Sequence, residues 1–140
     1  MNAVFKLSRI ATLFGFYVLA SGWPYCAAAD DEIARGKYVV EDVAQCAICH
    51  SPRDQNGEFV KDLWLAGTKL DFKPITPNIG WPETAPDIRG MRGYSEKSAI
   101  ILFSRGTAMS GIRPAFPMPQ YKMSEDDARA VYKYLKSLAP

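Results

Sequence analysis

Two cysteines two residues apart, with a histidine directly after, stand at Cys46-Ala47-Ile48-Cys49-His50. Three soft ligands packed into five residues serve one of a few purposes: a zinc site, a redox dithiol, or covalent attachment of a haem. The rest of the chain discriminates among them. A structural zinc site takes four Cys or His ligands, with acids used less often. His50 is the only histidine of the 140 residues, and Cys26 the only further cysteine. A fourth zinc ligand would have to be an acid, and adjacent Cys49 and His50 are awkward on one tetrahedral ion. A thioredoxin-like dithiol should follow a strand and open a helix in a βαβ setting. Here the motif follows a helical pattern, and strand signals are scarce.

The N-terminal segment removes Cys26 from the argument. Lys6 and Arg9 precede an apolar run of about eleven residues, Ile10 to Ala20; Ser21, Gly22 and Pro24 break it, and Ala27-Ala28-Ala29 precedes Asp30. This order of basic, apolar and small residues is that of a secretory signal peptide, with cleavage after Ala29. The run is short for a membrane span, which needs roughly 20 apolar residues; an uncleaved N-terminal anchor is the rival. The expectation is therefore a signal peptide over 1–29, a single domain over 30–140, and a periplasmic location. Residues 30–140 carry 15 basic and 15 acidic side chains, a balance that does not suggest nucleic acid as a partner. A domain of this size is small for a well-buried core of its own.

Three helices are predicted. The first runs from Asp31 to Ala44, opens on Asp30, Asp31 and Glu32, and repeats Ile33, Gly36, Val39, Val40 and Val43 at helical spacing. Gly36 on that stripe would let another helix approach closely. A second helix begins after Ser95, passes through Ala99, Ile100, Leu102 and Phe103, and stops at Gly106. The third follows Ser124-Glu125-Asp126-Asp127, an N-cap with three acids, and places Ala128, Val131, Leu135 and Leu138 on one face. Between Ser51 and Tyr94 lie Pro52, Pro74, Pro77, Pro82 and Pro86 with weak periodicity. A long structureless loop is unusual inside a compact domain, unless it wraps something other than protein. A large apolar cofactor would also make up for the small core. Both deficits, with C-x-x-C-H as the attachment motif of c-type haem and an exported chain, select haem: two thiols for its vinyl groups and His50 for its iron.

A second histidine ligand does not exist, so the sixth position falls to Met91, Met109, Met118 or Met123, or stays open. Met118 sits between Pro117 and Pro119 in Phe116-Pro117-Met118-Pro119-Gln120-Tyr121. Proline fixes φ and forbids regular helix there, which gives a stiff loop presenting one thioether. Met118 is the favoured ligand, and Met109, beside Ser110-Gly111, the next. With both axial positions filled, substrate cannot reach the iron and one-electron outer-sphere transfer is the remaining chemistry. A haem enzyme or gas sensor with an open distal site is the alternative of a different class.

On these residues the chain resembles class I c-type cytochromes over nearly all of 30–140. It is most similar to the single-haem units in cytochrome subunits of periplasmic alcohol, aldehyde and sugar-acid dehydrogenases. The similarity is carried by Ala34-Arg35-Gly36-Lys37-Tyr38 ahead of CAICH, Thr76-Pro77-Asn78-Ile79, Gly93-Tyr94-Ser95, Pro117-Met118-Pro119 and the stretch Ser124 to Leu138. The resemblance implies an all-α cytochrome c fold, with N- and C-terminal helices crossing near Gly36 and Tyr132 or Leu135 and long loops around one covalent haem. It implies Cys46 and Cys49 as thioether anchors, His50 and Met118 as iron ligands, and Asn78 as a donor to the propionates. Tyr94 stands where a tryptophan is common, and Trp81 lies in a Pro-rich insert. Leu63, Trp64, Leu65, Leu70, Phe72, Ile75, Ile79, Ile88, Ile100, Phe103 and Phe116 are candidates for the apolar shell. The implied role is to carry electrons between a dehydrogenase and a respiratory acceptor, either as a free carrier or as a fixed subunit of a membrane-associated complex. Residues 30–60 have a net charge of −4 and residues 61–122 one of +4. Lys61, Lys69, Lys73, Lys97, Arg105 and Arg113 would then form a face for an acidic partner.

Overall fold

In a computed structural model, residues 27–76 and 80–140 are described, the side chains of 27–29 excepted. The signal-peptide segment and Asn78 and Ile79 therefore lie outside the described residues, apart from the backbone of 27–29. Helix α1 spans Ala27–Tyr38 and runs into a π-helical turn, Val39–Val43. The turn closes when the Ala44 N–H donates to the Val39 carbonyl at 2.7 Å. A π turn holds one more residue than an α turn, so it shifts the face presented by everything after it. Val39 and Val40 are buried, but Val43, expected on the same stripe, is 60 % exposed. The predicted helix thus continues to Val43 with its last turn in a different register.

Helix α2, Ala47–His50, carries the C-x-x-C-H motif with Cys46 at its N-cap. Two short strands, β1 (Thr68–Lys69) and β2 (Thr84–Ala85), pair antiparallel with Thr68 opposite Ala85 and Lys69 opposite Thr84. They pair on either side of residues 70–83, so the 51–94 section is not without order. Helix α3, Glu96–Arg105, starts where Ser95 Oγ accepts from the Ser98 N–H and ends at Gly106 in the left-handed region, φ 70°. Helix α4, Glu125–Ser137, is capped by Ser124 Oγ accepting from the Asp127 N–H. Both caps fall where the sequence places them; such a cap stabilises a helix by about 1 kcal/mol.

Helix α4 packs on α1 and α3, and α1 approaches it most closely at Gly36. A Cβ on Gly36 would run into the Ala130 carbonyl and lie 2.8 Å from Tyr134 Cβ. The crossing is thus at Gly36, as expected, with Ala130 and Tyr134 of α4 against it, residues that bracket Tyr132 and adjoin Leu135 in sequence. Arg35 pairs with Asp127 at 2.8 Å, and Tyr134 Oη donates to the Glu41 carboxylate. The core gathers Val39, Val40, Ala47, Leu65, Met91, Ala99, Leu102, Phe103, Ala128, Val131, Tyr134 and Leu135. No helix among the described residues is long and apolar enough to cross a membrane.

Candidate haem-binding site

Cys46 caps α2 in right-handed helical geometry, φ −57° and ψ −29°. The His50 N–H donates to the Cys46 carbonyl at 3.0 Å and the Cys49 N–H to the same carbonyl at 3.3 Å. Positions three and four apart on a helix share a face. Cys46, Cys49 and His50 are therefore presented together, and Ile48, between them in sequence, is half exposed.

His50 is 7 % exposed, and its Nδ1 lies 2.8 Å from the Pro86 carbonyl oxygen. A carbonyl only accepts, so Nδ1 carries the proton and Nε2 keeps its lone pair. Burial holds the imidazole below its ordinary pKa, against the opposing pull of the Pro86 bond. A neutral ring with one N–H fixed by a backbone carbonyl is the arrangement of a metal-ligating histidine. The β1–β2 pair delivers that carbonyl, since Pro86 follows β2 directly. The Gly67 N–H donates to the His50 carbonyl at 2.8 Å. Gly67, at φ +80°, has no room for a Cβ, which would lie 2.6 Å from the Asp87 nitrogen and 2.7 Å from the Ala85 oxygen. On the other side, buried Ser51 accepts the Leu65 N–H on its Oγ at 2.8 Å.

Burial pushes the pKa of the Cys46 thiol up to about 11, and burial with nearby Asp71 raises Cys49 as well. No group of three His, Cys, Asp or Glu among the described residues is placed to hold a metal ion.

Of the four candidate methionines, Met91 is 4 % exposed in the core and Met109 is 60 % exposed. Met123 donates its N–H to the Phe103 carbonyl and packs on the core beside α4. Met118 lies on the loop before α4, half buried against the core, with its N–H on the Ala115 carbonyl at 3.0 Å. Three residues on, the Tyr121 hydroxyl donates to the Ala44 carbonyl at 3.2 Å, which ties this loop to the start of the attachment motif.

A row of rings joins the insert to the Met118 loop. Phe72 and Phe116 each meet Trp81 edge-on, with centroids 5.5 Å apart. Phe72 is 38 % and Phe116 60 % exposed, while Leu65, Leu70 and Phe103 of the expected shell are core residues. The Trp81 Nε1 is buried with no hydrogen-bond partner among the described residues. Trp64 Nε1 is also unpartnered, but Trp64 packs on Phe59 and lies beside the Tyr134 hydroxyl. An unpaired buried N–H is costly. A large apolar group bearing acceptor oxygens fits a place that offers ring faces and one unused donor. Two shallow concavities, one between α1 and α4 and one on α3, are rimmed by charged side chains, and neither is lined by the motif or Met118.

A family model described as cytochrome c matches residues 33–139. The chain belongs to the cytochrome c family. It is a class I c-type, electron-transfer cytochrome with a largely helical fold, and membership implies covalent haem c. The cytochrome c subunit of a quinone alcohol dehydrogenase from Gluconobacter oxydans (strain 621H) is 31 % identical over 120 residues, which cover 79 % of this chain and 24 % of that one. The gluconate 2-dehydrogenase cytochrome c subunit of Pantoea cypripedii is 30 % identical over 128 residues, 80 % of this chain and 27 % of that one. A diheme cytochrome c-type protein of Cereibacter sphaeroides is 37 % identical over 81 residues, 56 % of this chain and 27 % of that one. The chain spans about a quarter of the length of these curated relatives.

Two contributors to the cytochrome site were not legible. Pro86 acts through its carbonyl, which every residue has, and Tyr121 acts across 77 positions.

Proposed function

We propose that this protein carries single electrons in the periplasm as a monohaem c-type cytochrome, between a dehydrogenase and a respiratory acceptor. Cys46 and Cys49 would anchor one haem through their sulfurs, and His50 Nε2 and Met118 Sδ would hold its iron. Asn78 and the Trp81 N–H would donate to its carboxylates. Bound there, haem c supplies one reversible Fe(III)/Fe(II) step. The chain's residues fix the axial nitrogen, exclude water with apolar side chains, and leave no open coordination position for a substrate. His50 is committed to the metal, which leaves no histidine as a general base. The observation that carries the reading is the 2.8 Å contact between His50 Nδ1 and the Pro86 carbonyl, which sets the tautomer.

The test is a Met118→Ala variant of the holoprotein. The native protein should be low-spin with a weak near-infrared iron–sulfur band. The variant should lose that band, turn high-spin in the ferric state and bind carbon monoxide rapidly when reduced. A band that persists in the variant removes Met118 as ligand, and a native protein already high-spin favours the open-site alternative.

A second reading, a cytochrome subunit fixed in a dehydrogenase complex, is supported by the names of the alcohol and gluconate dehydrogenase relatives. Release from a signal peptide over 1–29 fits the free carrier, and an uncleaved segment fits the fixed subunit. Purification without detergent, followed by N-terminal sequencing, separates the two.

A further inference from the structure

The loop that bears Met118 is held at three places: by Phe116 against Trp81, toward α3, and by Tyr121. Toward α3, the Met123 N–H donates to the Phe103 carbonyl at 3.1 Å, and Lys122 Nζ bonds the Arg105 carbonyl. Gln120 packs on Gly106, where a Cβ would lie 2.9 Å from Gln120 Cβ. These contacts join the loop to its own side of the molecule. Only Tyr121, among the described contacts of this loop, reaches the residues leading into the attachment motif. Its hydroxyl donates to the carbonyl of Ala44 at 3.2 Å. Ala44 ends the π-helical turn, a place where helix geometry leaves carbonyls without an internal partner. Gln45 then turns the chain at φ +50°, and Cys46 follows.

We propose that Tyr121 is a positioning residue: its hydroxyl latches the Met118 loop to the backbone ahead of Cys46 and so sets how firmly Met118 is held at its ligand position. The inference rests on the assignment of Met118 as the axial ligand. Its physical content is simple. A thioether is a weak ligand, so the loop must be kept from swinging away, and the restraint acts best close to the sulfur. Tyr121 is three residues from Met118, and its ring is half buried against the core. Removal of the oxygen alone cuts the latch and leaves the packing.

The experiment compares native holoprotein with Tyr121→Phe, Tyr134→Phe and Met118→Ala. In each, imidazole is titrated against the near-infrared iron–sulfur band, which reports displacement of Met118. Loss of one neutral hydrogen bond should make imidazole compete roughly two- to tenfold better in Tyr121→Phe. Tyr134→Phe is the control for general destabilisation. It also loses one phenolic hydrogen bond, to Glu41, but at the crossing of α1 and α4. It should melt earlier yet titrate as native. A native titration for Tyr121→Phe overturns the latch, as does an equal shift in both tyrosine variants, which would trace the effect to overall stability. If Met118→Ala keeps the band, the ligand assignment falls and takes the latch with it. If Met118→Ala loses the band while Tyr121→Phe titrates as native, the ligand stands and only the latch fails.

Discussion

The useful nitrogen of His50 is set by an atom with no side-chain identity. The Pro86 carbonyl fixes Nδ1–H and leaves Nε2 with its lone pair, the atom we propose as the iron ligand. Trp81 is the converse case, a donor for which the described residues supply no acceptor. If it donates to a haem carboxylate, it draws negative charge away from the iron. Trp81→Phe keeps the ring between Phe72 and Phe116 and removes only the N–H. The carboxylate then bears more negative charge, Fe(III) is favoured, and the reduction potential should fall. One hydrogen bond limits the drop to about 60 mV, a tenfold change for a one-electron couple. Voltammetry of the variant checks this, and an unchanged or raised potential would remove the role. The cluster we propose as ligands could be picked out in the sequence because it depends on side-chain type and spacing. Cys46, Cys49 and His50 need only helical spacing to share a face, and two prolines mark Met118. What Pro86 and Tyr121 contribute was not readable, because a backbone acceptor and a contact across 77 positions leave no local pattern.

Helices were legible where local chemistry ends them. Ser95 and Gly106 bound α3, and Ser124 opens α4, each by a hydrogen bond or a backbone angle that the residue type favours. The π-helical turn was not, since Val43 continues an α-helical stripe on paper but is exposed in the fold. The 51–94 section hid its order for another reason. Its strands are two residues long, and its fixed points are backbone bonds to His50 and Leu65. Gly36 lets the element scale be tested by sign. If it were only a weak point in α1, Gly36→Ala would stabilise the protein by about 0.5–1 kcal/mol. In the fold the new Cβ meets the Ala130 carbonyl, which cannot rotate away. Overpacking of this kind costs about 3 kcal/mol, more than the propensity gain. Gly36→Ala should therefore lower the denaturation midpoint; a higher one would mean that the helices do not meet there.

Charge is sorted at the scale of the molecule. Around the α1–α4 contact, several acids are answered: Glu32 by Lys133, Asp127 by Arg35, Glu41 by Lys37, Asp126 by Arg129. Lys61, Lys69, Lys73, Lys97, Arg105 and Arg113 are exposed and in no ion pair among the described residues. Lys73 adjoins Phe72 in sequence, and Arg113 precedes Phe116 by three residues. Uncompensated cations thus flank, in sequence, the ring row that we assign to the cofactor, while the crossing elements α1, the π-helical turn and α4 are on balance acidic. Such a field would orient an acidic redox partner toward the ring row before contact. Steering of this kind raises association rates by roughly ten- to a thousandfold at low salt. It fades as the screening length shrinks from about 10 Å at 0.1 M to about 3 Å at 1 M. The second-order rate of electron transfer to an acidic partner should therefore fall steeply with ionic strength. Lys73→Glu with Arg113→Glu should flatten that curve by lowering its low-salt end, while the potential stays within a few tens of millivolts of native. A mixed, solvated surface predicts instead a flat curve for the native protein and no change in the double variant. The two outcomes differ most below 0.1 M, where the screening length exceeds about 10 Å, so the rate there decides whether the sorting of charge has a function.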